Sequence, residues 1–400
     1  MTAARGPAVP SDARLLPAAR AIGLMSGTSA DAMDAAAVLV EGGDAARRAT
    51  RLVAFRSVRF ADALRRDILQ AQEGTLPMRR LFALAIALGE IAADAARQAH
   101  VAAGWDQPPD VVGFHGQTVF HDPHGERSGH PLTAQIGEPT IVARALRTSV
   151  VSDFRMADIL EGGEGAPLVP RFDYNQFGSD DEDRVLLNIG GIANLTRVPR
   201  GAAIDGVVAF DCGPGNMLLD GLIAALRPGG SGYDDGGAIA ARGRADESVV
   251  AEFLDDPFFA RNPPKSAGRE EFGAAYRERF LARTHGMSIE DRLRTAVEVT
   301  AGGVAQGVQQ SGRHRPDAII VSGGGARNAT LIAAIAEQVR GAAVRTSDEL
   351  GVPSESKEAM AFAFLAAETL AGRPGNVPSA TGARKEVVLG SVTPPPDPER

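Results

Sequence analysis

One device occurs twice in this 400-residue chain and limits what it can fold into. The run Ala21-Ile-Gly-Leu-Met-Ser-Gly-Thr-Ser-Ala-Asp-Ala-Met-Asp34, continuing to Val40, reads as a strand, a tight turn of glycines and hydroxyls, and a strand returning antiparallel. Val185-Leu-Leu-Asn188-Ile-Gly190-Gly191-Ile-Ala-Asn194-Leu-Thr-Arg-Val198 repeats it. Each copy gains a third strand, Leu52 to Phe60 in the first and Val207 to Asp211 in the second, and then helices, expected at about 62–72 and 77–103 and at about 215–226. A β-meander followed by helices, present twice, is an internal repeat at domain scale, and two such halves facing one another would make a cleft.

The remaining punctuation divides the chain. Residues 1–18 are Ala/Pro/Arg-rich without periodicity and are expected to be a disordered extension. Domain I is expected over 19–152 and domain II over 153–354, with the Gly/Pro-rich Leu160 to Pro170 marking the crossing between them. A C-terminal helix and return segment should occupy 355–392, and the proline-rich 393–400 a disordered tail. A net charge of -8 and a pI near 5.5 argue against a nucleic-acid partner, which would want a basic stripe. The most apolar stretch, Leu81 to Ala103, carries Glu90, Asp94 and Arg97, so it reads as a buried helix and not a membrane span. One cysteine, Cys212, and no secretory pattern fit a cytoplasmic location.

Chemistry gathers at the turns. In the first, Gly27, Thr28, Ser29, Ala30, Asp31, Ala32, Met33 and Asp34 combine N–H groups and hydroxyls, suited to phosphate oxygens, with carboxylates suited to a hard cation such as Mg²⁺, Asp31 or Asp34 being the candidate ligands. No Walker lysine follows, which excludes a P-loop. Asn188, Gly190 and Gly191 form the second turn. Gly323, Gly324 and Gly325, after an apolar strand and before Asn328 and a helix, offer bare backbone to a flat ligand such as adenosine. His115 and Gln117 stand at the end of a short buried strand, where open α/β sheets place ligands. Histidines 115, 121, 124 and 130 lie among Pro, Gly and charges, which reads as a mobile loop, not a zinc site. Arg155 suits a carboxylate or phosphate, with a salt bridge to Asp153 or Asp158 as the alternative.

Taken in order, these features match the actin, hexokinase and Hsp70 ATPase superfamily. More narrowly, the chain resembles the anhydro-N-acetylmuramic acid kinases. The segments that carry the resemblance include Gly-Leu-Met-Ser-Gly-Thr-Ser (23–29), His-Gly-Gln-Thr (115–118), Asp-Phe-Arg (153–155) and Gly-Ala-Pro-Leu-Val-Pro (165–170). They continue with Phe-Asp-Cys-Gly-Pro-Gly-Asn (210–216), Pro-Lys-Ser (264–266), Gly-Gly-Gly-Ala-Arg-Asn (323–328) and Glu-Ala-Met-Ala-Phe (358–362).

The resemblance implies a two-domain α/β fold of the actin-like ATPase (ribonuclease H-like) type, each domain a mixed sheet with helices and the nucleotide in the interdomain cleft. It implies ATP and Mg²⁺ as cofactors and hydrolytic opening plus phosphorylation of 1,6-anhydro-N-acetylmuramic acid. Asp211 would be the general base, residues 27–34 would bind ATP, and Glu358 would help hold the sugar. A homodimer is left open. The chain departs from the family pattern at Ala32 (usually Gly), Glu164 (Gln), Asp173 (His) and Gly236 (an acidic residue). These departures keep two alternatives in view, a levoglucosan-like kinase and a weak nucleotide-gated sugar-binding paralogue. Ala32 requires a negative φ to fit a phosphate turn.

Overall fold

The computed structural model describes residues 18–27, 30–42, 47–230 and 232–396. The chain forms two compact units. One runs through Gln176 and takes up Glu358–Pro378 and the chain from Ala383. The other is Phe177–Lys357 with Ser379–Gly382. The division therefore falls after Gln176, later in the chain than the 152/153 boundary expected from the glycine-rich crossing. The segment 153–176 stays with the first unit because its contacts, such as the Asp158 carboxylate accepting from Asn376 Nδ2 at 2.7 Å, lie there.

In the first unit β1 (Ala19–Met25), β2 (Ala32–Val40) and β3 (Thr50–Arg59) form the antiparallel meander, and β4 (Val111–Phe114) joins β1 in parallel. A separate two-stranded sheet follows, β5 (Gln117–Asp122) with β6 (Leu132–Ile136). The histidine-bearing segment expected to be a mobile loop is thus largely a hairpin, its turn tied by Asp122, whose carboxylate accepts the N–H groups of Glu126, Arg127 and Ser128. Next, β7 (Val150–Ser152) extends the main sheet beside β4.

The second unit repeats the plan. Its strands β8 (Arg184–Ile189), β9 (Ala193–Val198) and β10 (Val208–Gly213) make the meander, with β11 (Ala318–Ser322) parallel to β8 and β12 (Ala343–Thr346) parallel to β11. Back in the first unit, β13 (Ser391–Thr393) pairs antiparallel with β7, so part of the expected C-terminal tail is strand. The sheet orders are β13-β7-β4-β1-β2-β3 and β10-β9-β8-β11-β12. With β13 set aside, both sheets have the order third-second-first-fourth-fifth, three strands antiparallel and two parallel. This is the duplicated α/β architecture of the actin-like ATPase fold.

Period-two alternation decides what each face of the first sheet meets. Ile22 and Leu24 of β1, with Met33, Ala35 and Ala37 of β2, are buried in one cluster with Leu84, Leu88 and Ala92 of the helix Met78–Ala102. On the other face is the helix Lys357–Leu370, whose residues 359–367 are all buried. It lies against bare backbone. A Cβ on Gly23 would stand 1.8 Å from the Ala359 carbonyl oxygen, and one on Gly113 would stand 2.1 Å from that of Phe362.

In the second unit the accommodation is reversed, with the glycines on the helix. The helix Ile289–Gln310 starts at Ser288, whose hydroxyl accepts the Asp291 N–H, and has acidic residues in its first turn. Its Gly303 and Gly307 let it approach Cys212 of β10, where a Cβ would come within 2.8 and 2.6 Å of Cys212 atoms respectively.

Gly23→Ala and Gly113→Ala should each lower the unfolding free energy by about 3 kcal/mol, the upper end of the usual cost of overpacking, because the atoms in the way are backbone. Chemical denaturation checks this, and unchanged midpoints would contradict the close approach.

Candidate functional site

The first turn connects β1 to β2. Of the residues expected to contact nucleotide there, Thr28 and Ser29 lie outside the described residues. Gly27 ends the described approach, and its carbonyl accepts the Ala30 N–H at 3.2 Å. Ala30 has a φ of 55°, in the left-handed region. Ala32, by contrast, is the first residue of β2 and is not among the described non-glycine residues with positive φ, so its methyl is accommodated. Met33 is fully buried in the core, which leaves only its backbone for a ligand. Asp31 pairs with Arg65 at 3.1 Å, and Asp34 accepts from the Ser57 hydroxyl at 2.5 Å.

Gln117 proves to serve this turn. It is fully buried; its Oε1 accepts from the Ser26 hydroxyl at 2.6 Å and its Nε2 donates to the Gly27 carbonyl at 3.2 Å. An amide engaged at both ends fixes a turn. Expected from sequence to face a ligand at a strand end, Gln117 is placed as a brace at Ser26 and Gly27, where the turn begins.

His115 and Arg155 come together. His115 follows β4 and is buried, with its ring 4.5 Å from that of Phe362. Arg155 Nε and Nη2 lie 3.2 and 2.9 Å from His115 Nε2, while Nη1 donates to the Gly165 carbonyl at 2.8 Å. Arginine can only donate, so Nε2 is the acceptor and the ring proton sits on Nδ1, which faces the Gly116 carbonyl at 2.8 Å. Burial, then the Arg155 charge, hold the imidazole well below its usual pKa, so it is neutral. Burial also lowers Arg155 to about 10, against the opposing influence of Glu358. The guanidinium therefore contacts His115 and Gly165, and the expected alternative of a bridge to Asp153 or Asp158 is not the arrangement found. Glu358 is exposed at the start of the helix Lys357–Leu370.

In the second unit the two glycine turns are neighbours, because β8 pairs with β11 and sets Asn188 beside Ser322. Gly323 has a φ of 82°, and a Cβ there would stand 2.6 Å from Asn188 Oδ1. The Gly190 and Gly191 carbonyls accept the N–H groups of Asn216 and Met217 at 2.8 and 2.9 Å, which ties the turn to the start of the helix Gly215–Leu226. Gly325 packs against Ile189. Gly324 has Asn216 Nδ2 as the nearest atom to a built Cβ, at 3.6 Å, and so keeps an open face. Asn328 caps the helix Ala329–Gln338, its side chain accepting the Leu331 N–H at 3.0 Å.

Asp211 lies where the β10–β9 register shifts, a bulge of the kind that re-aims side chains. The segment around Lys265 wraps it: Asp211 N–H donates to the Lys265 carbonyl at 3.1 Å, and Oδ2 accepts the Ala267 N–H at 2.7 Å. Lys265 is itself anchored to the Phe258 and Phe259 carbonyls at 3.2 Å each. Oδ1 has no hydrogen-bond partner among the described residues and is the oxygen available to accept a proton. Burial raises this carboxyl from 3.8 to about 7; the Ala267 bond opposes the shift, and Glu270 and Glu271 add to it. Sequence reasoning singled out Asp211 but missed this holding loop, whose only signal was the Pro-Lys-Ser match at 264–266.

The other departures from the family pattern are also placed. Glu164 accepts from His124 Nε2 at 2.6 Å, Asp173 is buried in the helix Val169–Phe177, and Gly236 has a φ of 62° with open space around it.

Comparison with known proteins is consistent over the whole chain. The profile of a family described as anhydro-N-acetylmuramic acid kinase matches residues 19–395. A protein of that name from Xanthomonas campestris pv. campestris is 41% identical over 378 residues, covering 93% of this chain and 97% of its own. Another, from Caldanaerobacter subterraneus subsp. tengcongensis, is 37% identical over 381 residues, covering 93% and 96%. A third, from Bacillus cereus, is 37% identical over 380 residues, covering 94% and 99%.

The Asp211 carboxyl should titrate near pH 7, seen as a carboxyl carbon signal that Asp211→Asn removes. Replacing Glu270 and Glu271 with glutamine takes away two like charges and should move the midpoint down. An upward or absent shift would mean that those carboxylates do not act on it.

Proposed function

This chain belongs to the anhydro-N-acetylmuramic acid kinase family, and from that premise we propose how its residues divide the work. It is an ATP-dependent kinase that opens 1,6-anhydro-N-acetylmuramic acid with water and phosphorylates it to N-acetylmuramic acid 6-phosphate, a step in cell-wall recycling. The observation that carries the division of roles is Asp211. Its Oδ2 is held, its Oδ1 is open, and its pKa near 7 poises it to take a proton at neutral pH.

A 1,6-anhydro sugar has no free O6. Water must enter at C1, giving its proton to Asp211 Oδ1, while the C1–O6 bond breaks and O6 attacks the γ-phosphorus of ATP. Asp211 ends with the proton, the sugar with a C1 hydroxyl and a 6-phosphate, and the nucleotide as ADP. Neutral His115, both of its ring nitrogens engaged, fixes Arg155, and with Arg155 and Glu358 it forms the sugar-side set. Gly27 to Asp34, braced by Gln117, and Asn188 with Gly190 and Gly191 direct backbone and amide groups at the phosphates. The Gly323 to Gly325 turn, with Asn328 behind it, takes the adenosine.

Mg²⁺ fits this donor set only as a passenger of the nucleotide. Among the described residues no group of three or more His, Cys, Asp or Glu side chains could cage a metal, and Asp31 is already paired with Arg65. Phosphate oxygens and water would supply most ligands, with Asp34 the nearby carboxylate, and the ion would neutralise charge on the transferring phosphoryl group.

Asp211→Asn should keep ATP affinity and lose roughly two to four orders of magnitude in turnover. One turnover in ¹⁸O-water, quenched before anomeric exchange, should place the label on the C1 hydroxyl and none in phosphate. Label in phosphate, or a product that keeps its anhydro bridge, would overturn the mechanism.

A further inference from the structure

The loop from Glu161 to Gly165 in the first unit is held from two sides. From its own helix, the Asp158 carboxylate accepts the Gly165 N–H at 2.8 Å, and Asp158 is fixed in turn by Asn376. From the β5–β6 hairpin, one histidine reaches across to the loop. His124 Nε2 lies 2.6 Å from Glu164 Oε1, while the neighbouring His121 stays within the hairpin, its Nδ1 meeting the Thr133 hydroxyl at 3.0 Å.

The next residue carries the consequence. The Gly165 carbonyl accepts from Arg155 Nη1, and the other guanidinium nitrogens rest on His115 Nε2. Contacts therefore run unbroken from the hairpin through Glu164 and Gly165 to Arg155 and His115. The His124 and Glu164 side chains are 56% and 35% exposed, too solvated for their pairing to add much stability. What such a contact can do is set a position.

We propose that His124 and Glu164 are positioning residues for the sugar: their contact clasps the hairpin to the loop and fixes where the Gly165 carbonyl stands, and so the aim of Arg155 and His115. The inference rests on the reading above that Arg155 and His115 face the sugar. It also gives the carboxylate at 164 a partner within the protein.

The test is steady-state kinetics of the full chain with ATP and 1,6-anhydro-N-acetylmuramic acid varied separately, for wild type, Glu164→Ala, His124→Ala, the double variant and Glu164→Gln. The sugar KM should rise about fivefold in each alanine variant and no further in the double, as for two halves of one contact. The ATP KM and Tm should stay at wild-type values. Glu164→Gln, which still offers His124 an oxygen, should recover most of the loss. An unchanged sugar KM, an ATP KM rising in step, or single effects that multiply in the double would each overturn the clasp. Wild type that fails to turn over the sugar would sink the substrate reading and the clasp together, whereas active wild type with indistinguishable variants sinks the clasp alone.

Discussion

Backbone meets backbone where the helix Lys357–Leu370 crosses β1 and β4, and the sugar-side residues of the first unit follow from that contact. Gly23 and Gly113 leave no side chain between sheet and helix, so the helix comes down to the strands themselves. Two residues past Gly113, His115 then meets Phe362 from the same helix, and Glu358 stands at the helix start with its charge acting on Arg155. Three residues past Gly23 begins the turn that Gln117 braces. A methyl at either glycine would displace the helix and with it the histidine ring, so the packing of the core and the aim of the site are one constraint.

The second unit meets the same requirement by the opposite assignment. There the helix Ile289–Gln310 carries the glycines and β10 the side chain, Cys212, directly after Asp211. The Asp211 carboxyl beside it is wrapped by the segment around Lys265, and burial is the main reason it holds its proton up to about 7. The loop at Lys265 supplies one N–H and stops there. A second donor on Oδ1 would favour the charged form and take up the lone pair that a base must use.

Much of this was legible in the sequence because it is periodic. The doubled meander, the helices at 62–72 and 215–226, and the strand-end Asp211 all follow from alternation, glycine placement and apolar runs. What escaped reading depends on contacts between distant segments. Arg155 sits between two nearby aspartates in sequence, yet its partners are His115 and Gly165. Gln117 lies at a strand end that reads as a ligand position, and only the fold sets its amide across Ser26 and Gly27. The histidines at 121 and 124 read as a mobile loop because Pro123 and Gly125 mask a hairpin whose turn Asp122 ties. The division after Gln176 was missed for the same reason: glycine density marks bends, whereas a domain edge depends on which side the contacts fall.

A framework set by peptide groups has no side chain through which it can be adjusted by degrees. Neither Gly23 nor Gly113 can be exchanged for something slightly larger, since Ala359 and Ala363 lie against the first and Phe362 and Ala366 against the second. Divergence in this lineage is then channelled elsewhere, to parts whose alteration leaves the helix seated. The hairpin turn and the 161–165 loop are such parts, outside the helix–sheet contact and joined to each other through His124 and Glu164. New substrate preferences should accordingly arise by exchange of residues such as Glu164 and its histidine partner, with the glycines unaltered. The fold separates what selection can vary from what it must inherit.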